Sequence, residues 1–546
     1  MRKIQYILTI GLMNLSTIVL TSCLEEPVPT SFATAKQVTE SLSAIEQLAG
    51  AMASQQNTIW SDDGFGWGLG SILKIRDLFT GDLAQNESNY DHYIQWEENY
   101  YIGESYLVTQ YTWEVMYQLI LTTNTLIGTV HAEEATPKEL GLLGAGYAFR
   151  AMWYLDMARM YEFLPNDVFP DGTNERGKVV TNLTIPIVTE NTTDEQYRNN
   201  PRATRKEMFD FILSDLDQAE TYIPNLSDTH GRTLPDISVV YGLKARLYMW
   251  VEDYVNAESY ARKAIDAVDA SPETPHVMTQ EECLNVQSGF NQAYPWMLAS
   301  QQTAETSTVK SVLLNWTSWM SNQTLYGYTS LVGDPFVMID HAMYDRISNA
   351  DFRKLWFKAP ANSPIANNVT FVHSYFKQTL PTYASVKFRP GDGEYELAQV
   401  GSATAYPLMR VEEMYFIEAE AAAHQDPARG KQLAESFVKA NRNTSYSIAA
   451  TKQDDVIEEI VFQKRLELWG EGQSFFDIKR LNYSVKRGYQ GTNFAPLTRL
   501  NTNGRPAWMN FVISDGEGYN NKALDDWNNP DPSDKYDLWV DPNEAN

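Results

Sequence analysis

Two aromatic clusters hold the residues best suited to chemistry. The first gathers Trp60, Phe65, Trp67, Tyr90, Tyr93 and Trp96; the second gathers Tyr294, Trp296, Trp316, Trp319, Tyr326 and Tyr328. Both lie in Gly-, Asn-, Asp- and Ser-rich stretches rather than on clean helical faces. Asp62, Asp63, Asn89, Asp91, Asn315 and Asn322 are interleaved with them. Aromatic planes stack on apolar C–H faces, and carboxylates and amides bond hydroxyls, which is the pocket chemistry of an oriented polar ligand such as a sugar. Trp67, Tyr90, Asp91, Trp96, Tyr294, Trp296, Asn315, Trp316 and Trp319 are therefore the candidate ligand contacts. The competing expectation is that loops lying over a helical body need aromatic plugs to pack down.

Other chemistry finds little support. There is no H-E-x-x-H, Walker A or G-x-S-x-G. The seven histidines, among them His92, His276 and His424, show no ligand spacing. With 70 acidic residues, carboxylates meet by chance, and no local signature selects a pair for glycoside hydrolysis. Arg465 and Glu467 in a Glu-rich segment read as ion pairs fixing a helix rather than as a catalytic site. Asp531, Ser533, Asp534 and Asp537 lack the Gly and Glu of an EF-hand and read as a solvated acidic tail. No metal, cofactor or catalytic residue is expected.

The chain has 546 residues, 43% hydrophobic and 21% charged, as a globular protein has. Its formal charge of -27 disfavours a nucleic acid partner. The N-terminus reads as a targeting segment. Arg2 and Lys3 precede an apolar run from Ile7 to Leu20, too short for a comfortable membrane span, and Leu20-Thr21-Ser22-Cys23 forms a lipobox. Cys23 is the expected lipidation site, and removal of residues 1–22 makes the chain more acidic. The other cysteine, Cys283, is then left without an intrachain partner, so the core must hold without disulfides.

The elements that position these residues are mostly helical. Thr204 and Glu207 form a capping box that opens a helix with Phe209, Ile212, Leu213, Leu216 and Ala219 on one face. Tyr241, Ala245, Tyr248, Ala257 and Ala264 sit at the large/small spacing of a tetratricopeptide-type hairpin broken at Glu252-Asp253. Lys244, Ala261 and Asp269 depart from that repeat. Further helices are expected over 35–55, 106–127, 137–163, 407–424, 427–442 and 452–483. Between 271 and 406 the periodicity breaks down, and Val309–Leu314, Val369–Tyr375 and Ser385–Phe388 read as short β-like runs. The expected organisation is a signal peptide at 1–22, the lipidated Cys and an acidic tether at 23–34, a helical region with ligand loops at 35–270, an irregular insertion at 271–406, and a helical region with its tail at 407–546.

Three ordered blocks carry a resemblance: PRATRKEMFDFILSDLDQAETYIP from Pro201, PLMRVEEMYFIEAEAAA from Pro407 and VFQKRLELWGEGQSFFDIKRL from Val461. With the lipobox and AFRAMWYLDMARMYEFLP, the chain resembles the SusD/RagB family of outer-membrane nutrient-binding lipoproteins. Gln463, Lys464 and Ser474 depart from the family's usual Glu, Arg and Arg, which weakens a local ion-pair network at most. The resemblance implies a mostly α fold, a superhelix of tetratricopeptide-like hairpins with a loop-rich, partly β insertion region. It also implies a lipid-anchored, non-catalytic protein on the outer face of the outer membrane. Such a protein binds a nutrient, usually an oligosaccharide, and passes it to a SusC-like TonB-dependent transporter. A lipid-anchored glycoside hydrolase and a tetratricopeptide-type interaction scaffold are the alternative readings.

Overall fold

A computed structural model describes residues 42–88, 91–270, 275–329 and 335–543. The signal segment, Cys23, the acidic tether and Tyr90 lie outside the described residues. We number the helices of seven residues or more in chain order: α1 Leu42–Ser54, α2 Leu69–Leu78, α3 Leu107–Thr129, α4 Pro137–Tyr161, α5 Arg205–Tyr222, α6 Ile237–Trp250, α7 Tyr254–Asp269, α8 Val411–Gln425, α9 Pro427–Asn441, α10 Gln453–Glu467 and α11 Ser474–Arg480. From α3 to α10 each helix packs on the next, a superhelix of antiparallel hairpins. The stack runs directly from α7 to α8, although 141 residues separate Asp269 from Val411 in sequence (411 − 269 − 1). The mostly α, hairpin-superhelix expectation holds.

Local chemistry explains the helix boundaries. Thr204 and Glu207 close a full capping box at α5, and Thr136 and Glu139 do the same at α4, with Pro137 at its first position. The chain breaks between α6 and α7 at Glu252, whose φ of 63° lies in the left-handed region. Ala245, Ala257, Ala261 and Ala264 are fully buried and let α6 and α7 approach, while Tyr248 and Tyr260 stack beside them with centroids 5.5 Å apart. Lys244, out of place in the repeat, is buried because Asp217 holds its ammonium at 2.7 Å and Glu220 binds it too.

The intervening region differs from the sequence expectation in its strands. Val309–Leu314 begins in the helical turn Ser307–Lys310, Val369–Tyr375 runs into the helix Ser374–Thr379, and Ser385 makes only an isolated bridge with Phe357. Strand formation needs a partner ladder as well as β-favouring residues. The ladders form elsewhere: β1 Leu83–Gln85 pairs antiparallel with β3 Val337–Ile339, and β2 Leu298–Gln301 with β4 Ala405–Met409. The helix expected from Pro407 therefore starts only at Val411. Pro407 sits in β4 opposite Ala299, where the register shifts, as befits a residue with no N–H to donate. One hydrophobic core runs through both regions, and Phe416, Phe437, Ile460 and their neighbours form a second under the last hairpins.

Candidate functional site

The structure places most of the aromatic candidates inside. Trp67, Trp296 and Trp319 have no exposed surface, and Trp96 and Trp316 have 2% each. The Trp67 indole donates to the Tyr93 hydroxyl at 2.8 Å, and Phe65 meets Trp96 and Tyr111 edge to face. Trp60 is half-buried and donates to Glu114 at 2.8 Å. These rings plug the Thr58–Tyr101 segment down onto α3. Trp316 stacks on Tyr406 at 4.7 Å, Trp319 stacks on half-buried Tyr328 at 4.2 Å, and the Trp296 indole donates to the Met278 sulfur. Asn315 is buried and caps the short helix Trp316–Met320, accepting from the Ser318 amide at 3.0 Å. Asp91 is half-buried; its carboxylate accepts from the Gln85 amide and the Tyr93 backbone, and burial raises its pKa. Of these candidates Tyr294 is open to solvent, 43% exposed, its hydroxyl donating to Glu282 beside His276. As plugs, the tryptophans can meet no ligand without rearrangement.

The carboxylates around the third sequence block are equally engaged. Glu467 is fully buried and accepts from Arg442 at 2.8 Å, Arg410 at 3.1 Å and Arg353 at 3.2 Å. Glu471 receives Arg410 at 2.9 Å and Lys387 at 2.7 Å. Burial alone would raise the Glu467 pKa; the three guanidiniums instead hold it far below the usual carboxylate range. Arg465 pairs with Asp82, not with Glu467. This is a structural ion-pair network. Gln463 takes part in it, accepting from Arg353, and Lys464 pairs with Asp477 at 2.9 Å, so the departures noted in the sequence leave a complete network. Cys283 is buried and free, and burial pushes its thiol up to about 12, which makes it inert. Among the described residues no group of three His, Cys, Asp or Glu could hold a metal ion.

An exposed aromatic row lies one segment further on, between the short helix Ile94–Glu97 and α3. Tyr100, Tyr101 and Tyr106 form a row, with Tyr101 4.9 Å from each neighbour. Tyr101 is 53% exposed and Tyr106 38%. Asn99 and Tyr101 both adopt positive φ, 58° and 56°. Asn tolerates the left-handed region; a tyrosine there is strained and must be held. The C-terminal segment holds it: Asn99 donates to the Pro532 carbonyl at 3.0 Å and accepts from the Asp534 amide at 2.9 Å, and the Ile102 amide donates to Ser533 at 3.1 Å. The acidic tail is thus also a clamp, made by Pro532, Ser533 and the Asp534 backbone, while the Asp534 and Asp537 carboxylates stay exposed as expected. Beside the row runs an open groove of about 580 Å³, lined by Glu98, Asn99, Leu497, Asp534, Asp537 and Leu538 among others. Rings flanked by carboxylates are what stacking on a polyhydroxylated ligand requires. The sequence signal for it is the tyrosine run NYYIGESY at 99–106.

A helical-hairpin superhelix with a loop-rich second region is the architecture of a known class of binding lipoproteins. A profile described as SusD-like, starch-binding associating with outer membrane, matches residues 73–249, and the SusD family profile matches residues 368–529. The chain belongs to the SusD/RagB family. Similar solved structures include a SusD-like carbohydrate binding protein from Bacteroides vulgatus (21% identity, TM-score 0.67, 89% of this chain and 98% of that one). A SusD superfamily protein from Bacteroides thetaiotaomicron gives 16% identity and a TM-score of 0.64 over 91% of this chain and 100% of that one. One from Parabacteroides distasonis gives 16% identity and 0.61 over 90% and 98%. At these identities the likeness is one of fold. No curated protein sequence matches the chain significantly.

Proposed function

We propose that the protein is a non-catalytic, surface-exposed lipoprotein that binds an oligosaccharide and delivers it to a SusC-like TonB-dependent transporter in the outer membrane. The observation that carries the ligand reading is the exposed row Tyr100, Tyr101 and Tyr106 beside a groove edged with Asp534 and Asp537. Family membership supports the location and the partner. The lipobox at Cys23 supports the anchor, and no helix among the described residues is long and apolar enough to cross a membrane. The domain plan follows the same division: the 23–34 tether reaches from the lipid, the hairpins on either side of 271–406 form the docking body, and the loops recognise. Tyr294 and Tyr90 remain proposed secondary contacts.

Binding needs no bond broken. A sugar ring stacks on the Tyr101 face while the exposed carboxylates of Asp534 and Asp537 bond its hydroxyls, and the groove admits a chain rather than enclosing a monosaccharide. The test is calorimetric titration of residues 24–546 against a panel of neutral and acidic oligosaccharides. Saturable binding of at least one, lost in Tyr101→Ala, is expected; stacking on an aromatic is worth ~1–2 kcal/mol, about tenfold in affinity per ring. Silence across the panel overturns the reading. Release of shortened sugars during the incubation would instead mark a hydrolase.

A further inference from the structure

A second cavity, of about 160 Å³, lies within the helical body among the ends of α4 and α6, the first turns of α8, and α10 and α11. Its composition inverts that of the molecule. The chain carries a formal charge of -27, yet seven of the side chains lining this cavity are cationic and four are carboxylates. Three of those carboxylates are already committed. Glu413 forks onto Arg246, Glu162 takes Arg205 and the Trp250 indole, and Asp477 is shared between Lys464 and Arg480. The fourth, Glu252, is exposed at the rim.

Donors are left over. Arg480 is nine-tenths buried, and its Nη2 serves Glu420 and Asp477, but its Nη1 has no hydrogen-bond partner. A buried guanidinium N–H without an acceptor is costly, more so than a neutral one. Arg505, half-buried at the mouth, donates to the Asn482 side chain at 3.1 Å and meets no carboxylate within 4.0 Å among the described residues. Lys479 is buried too, and its ammonium is spent on three carbonyls at the end of α4, those of Arg159, Met160 and Glu162. Trp250, Phe476 and Ile417 supply buried apolar wall, which keeps the local dielectric low and the cationic field unscreened.

We propose that this cavity binds a small oxyanion, a carboxylate or phosphate group, held by Arg480 from the floor and Arg505 from the mouth. Burial lowers the pKa of Arg159 to about 10 although Asp156 pairs with it, and burial lowers that of Arg505 although Glu162 and Glu252 stand nearby; at Arg480 burial is outweighed by Glu420 and Asp477, which raise it. At Arg159 and Arg505 the lowering is a cost of burial, which a bound anion would offset. The overall acidity does not forbid this, because charges beyond about 10 Å are screened at ordinary salt while those lining the cavity are not.

The test is titration of the full mature chain at low salt with inorganic phosphate, with glucuronate and with glucose as the neutral control, reading heat and melting temperature. Saturable binding of phosphate or glucuronate, absent for glucose and weakening with added salt, is expected. Arg505→Gln, at the rim and free of ion pairs, is expected to fold normally and to bind about tenfold more weakly. Glu252→Gln is expected to bind more tightly. Phosphate binding assigns a free anion; binding of glucuronate alone assigns the acid group of a sugar. No binding of either anion, or equal affinity in Arg505→Gln and the parent protein, overturns the proposal. The tyrosine row lines a different groove, so Tyr101→Ala is expected to keep anion binding, which separates this outcome from that of the glycan reading.

Discussion

Tyr101 carries an unusual burden for a tyrosine: a left-handed backbone, a ring more than half exposed in the middle of an aromatic row, and a clamp from a segment more than 400 residues away. A tyrosine needed only for packing would not be kept in that geometry and left more than half exposed. The tryptophans are the converse case. Trp316 and Trp319 are expected to matter for stability: Trp319→Ala leaves a cavity beneath Tyr328, with a cost of about 3–5 kcal/mol that chemical denaturation will measure. Ligand affinity measured on the fraction that stays folded is expected to be unchanged. Loss of binding without loss of stability would return Trp319 to the ligand site.

At the scale of the element, α10 and the turn after it join the helical body to the loop region. Gly470 and Gly472 have φ of 78° and 69°, and a Cβ on Gly472 would stand 2.8 Å from the Leu73 backbone, so the turn needs glycine for conformation and for room. The turn brings Glu471 to Arg410 and Lys387 and leaves Glu467 facing three arginines. Glu467→Gln strips the charge from a site where Arg353, Arg410 and Arg442 are all fully buried, and is expected to destabilise by about 3–5 kcal/mol in urea unfolding. The pH dependence has a definite sign. The folded-state pKa of Glu467 lies below its unfolded value, so its contribution is complete above about pH 4.3 and is lost as pH falls through the folded pKa. The gap between variant and parent is expected to persist down to about pH 4 and to close only in stronger acid.

At the scale of the molecule, the helical stack is continuous from α3 to α10, and the 271–406 region is tied to it by β2–β4 and by shared core. The C-terminal segment closes the assembly by returning to the start of α3. Truncation after residue 529 removes Pro532, Ser533 and Asp534 from Asn99 and Ile102. The truncated protein is expected to melt nearly as the full chain does, yet to be cleaved by protease at Asn99–Glu104 and to lose oligosaccharide binding. Protection equal to that of the full chain would show that the clamp is not what positions Tyr101. By contrast, no residue lining the anion cavity lies beyond Arg505, and the cavity is expected to survive the truncation.

Much of this was legible in order along the chain. Capping boxes at Thr136 and Thr204, the apolar stripe of α5 and the small residues of α6 and α7 are local codes, because helix boundaries and close helix contacts depend on residues three or four apart. The family followed from ordered blocks for the same reason. What only the tertiary structure decided is non-local. Whether a Trp in a Gly-rich loop faces solvent or core depends on what folds over it, so Trp67, Trp316 and Trp319 looked like Tyr101 in sequence and lie on the other side of the surface. Strand pairing likewise needs a partner far away in sequence, Ala299 for Pro407, which is why Pro407 sits in a strand and Val309–Leu314 does not. The basic cavity is the extreme case: its cations come from five separate helices and a loop, and in a chain with a formal charge of -27 only their convergence in space makes them a site.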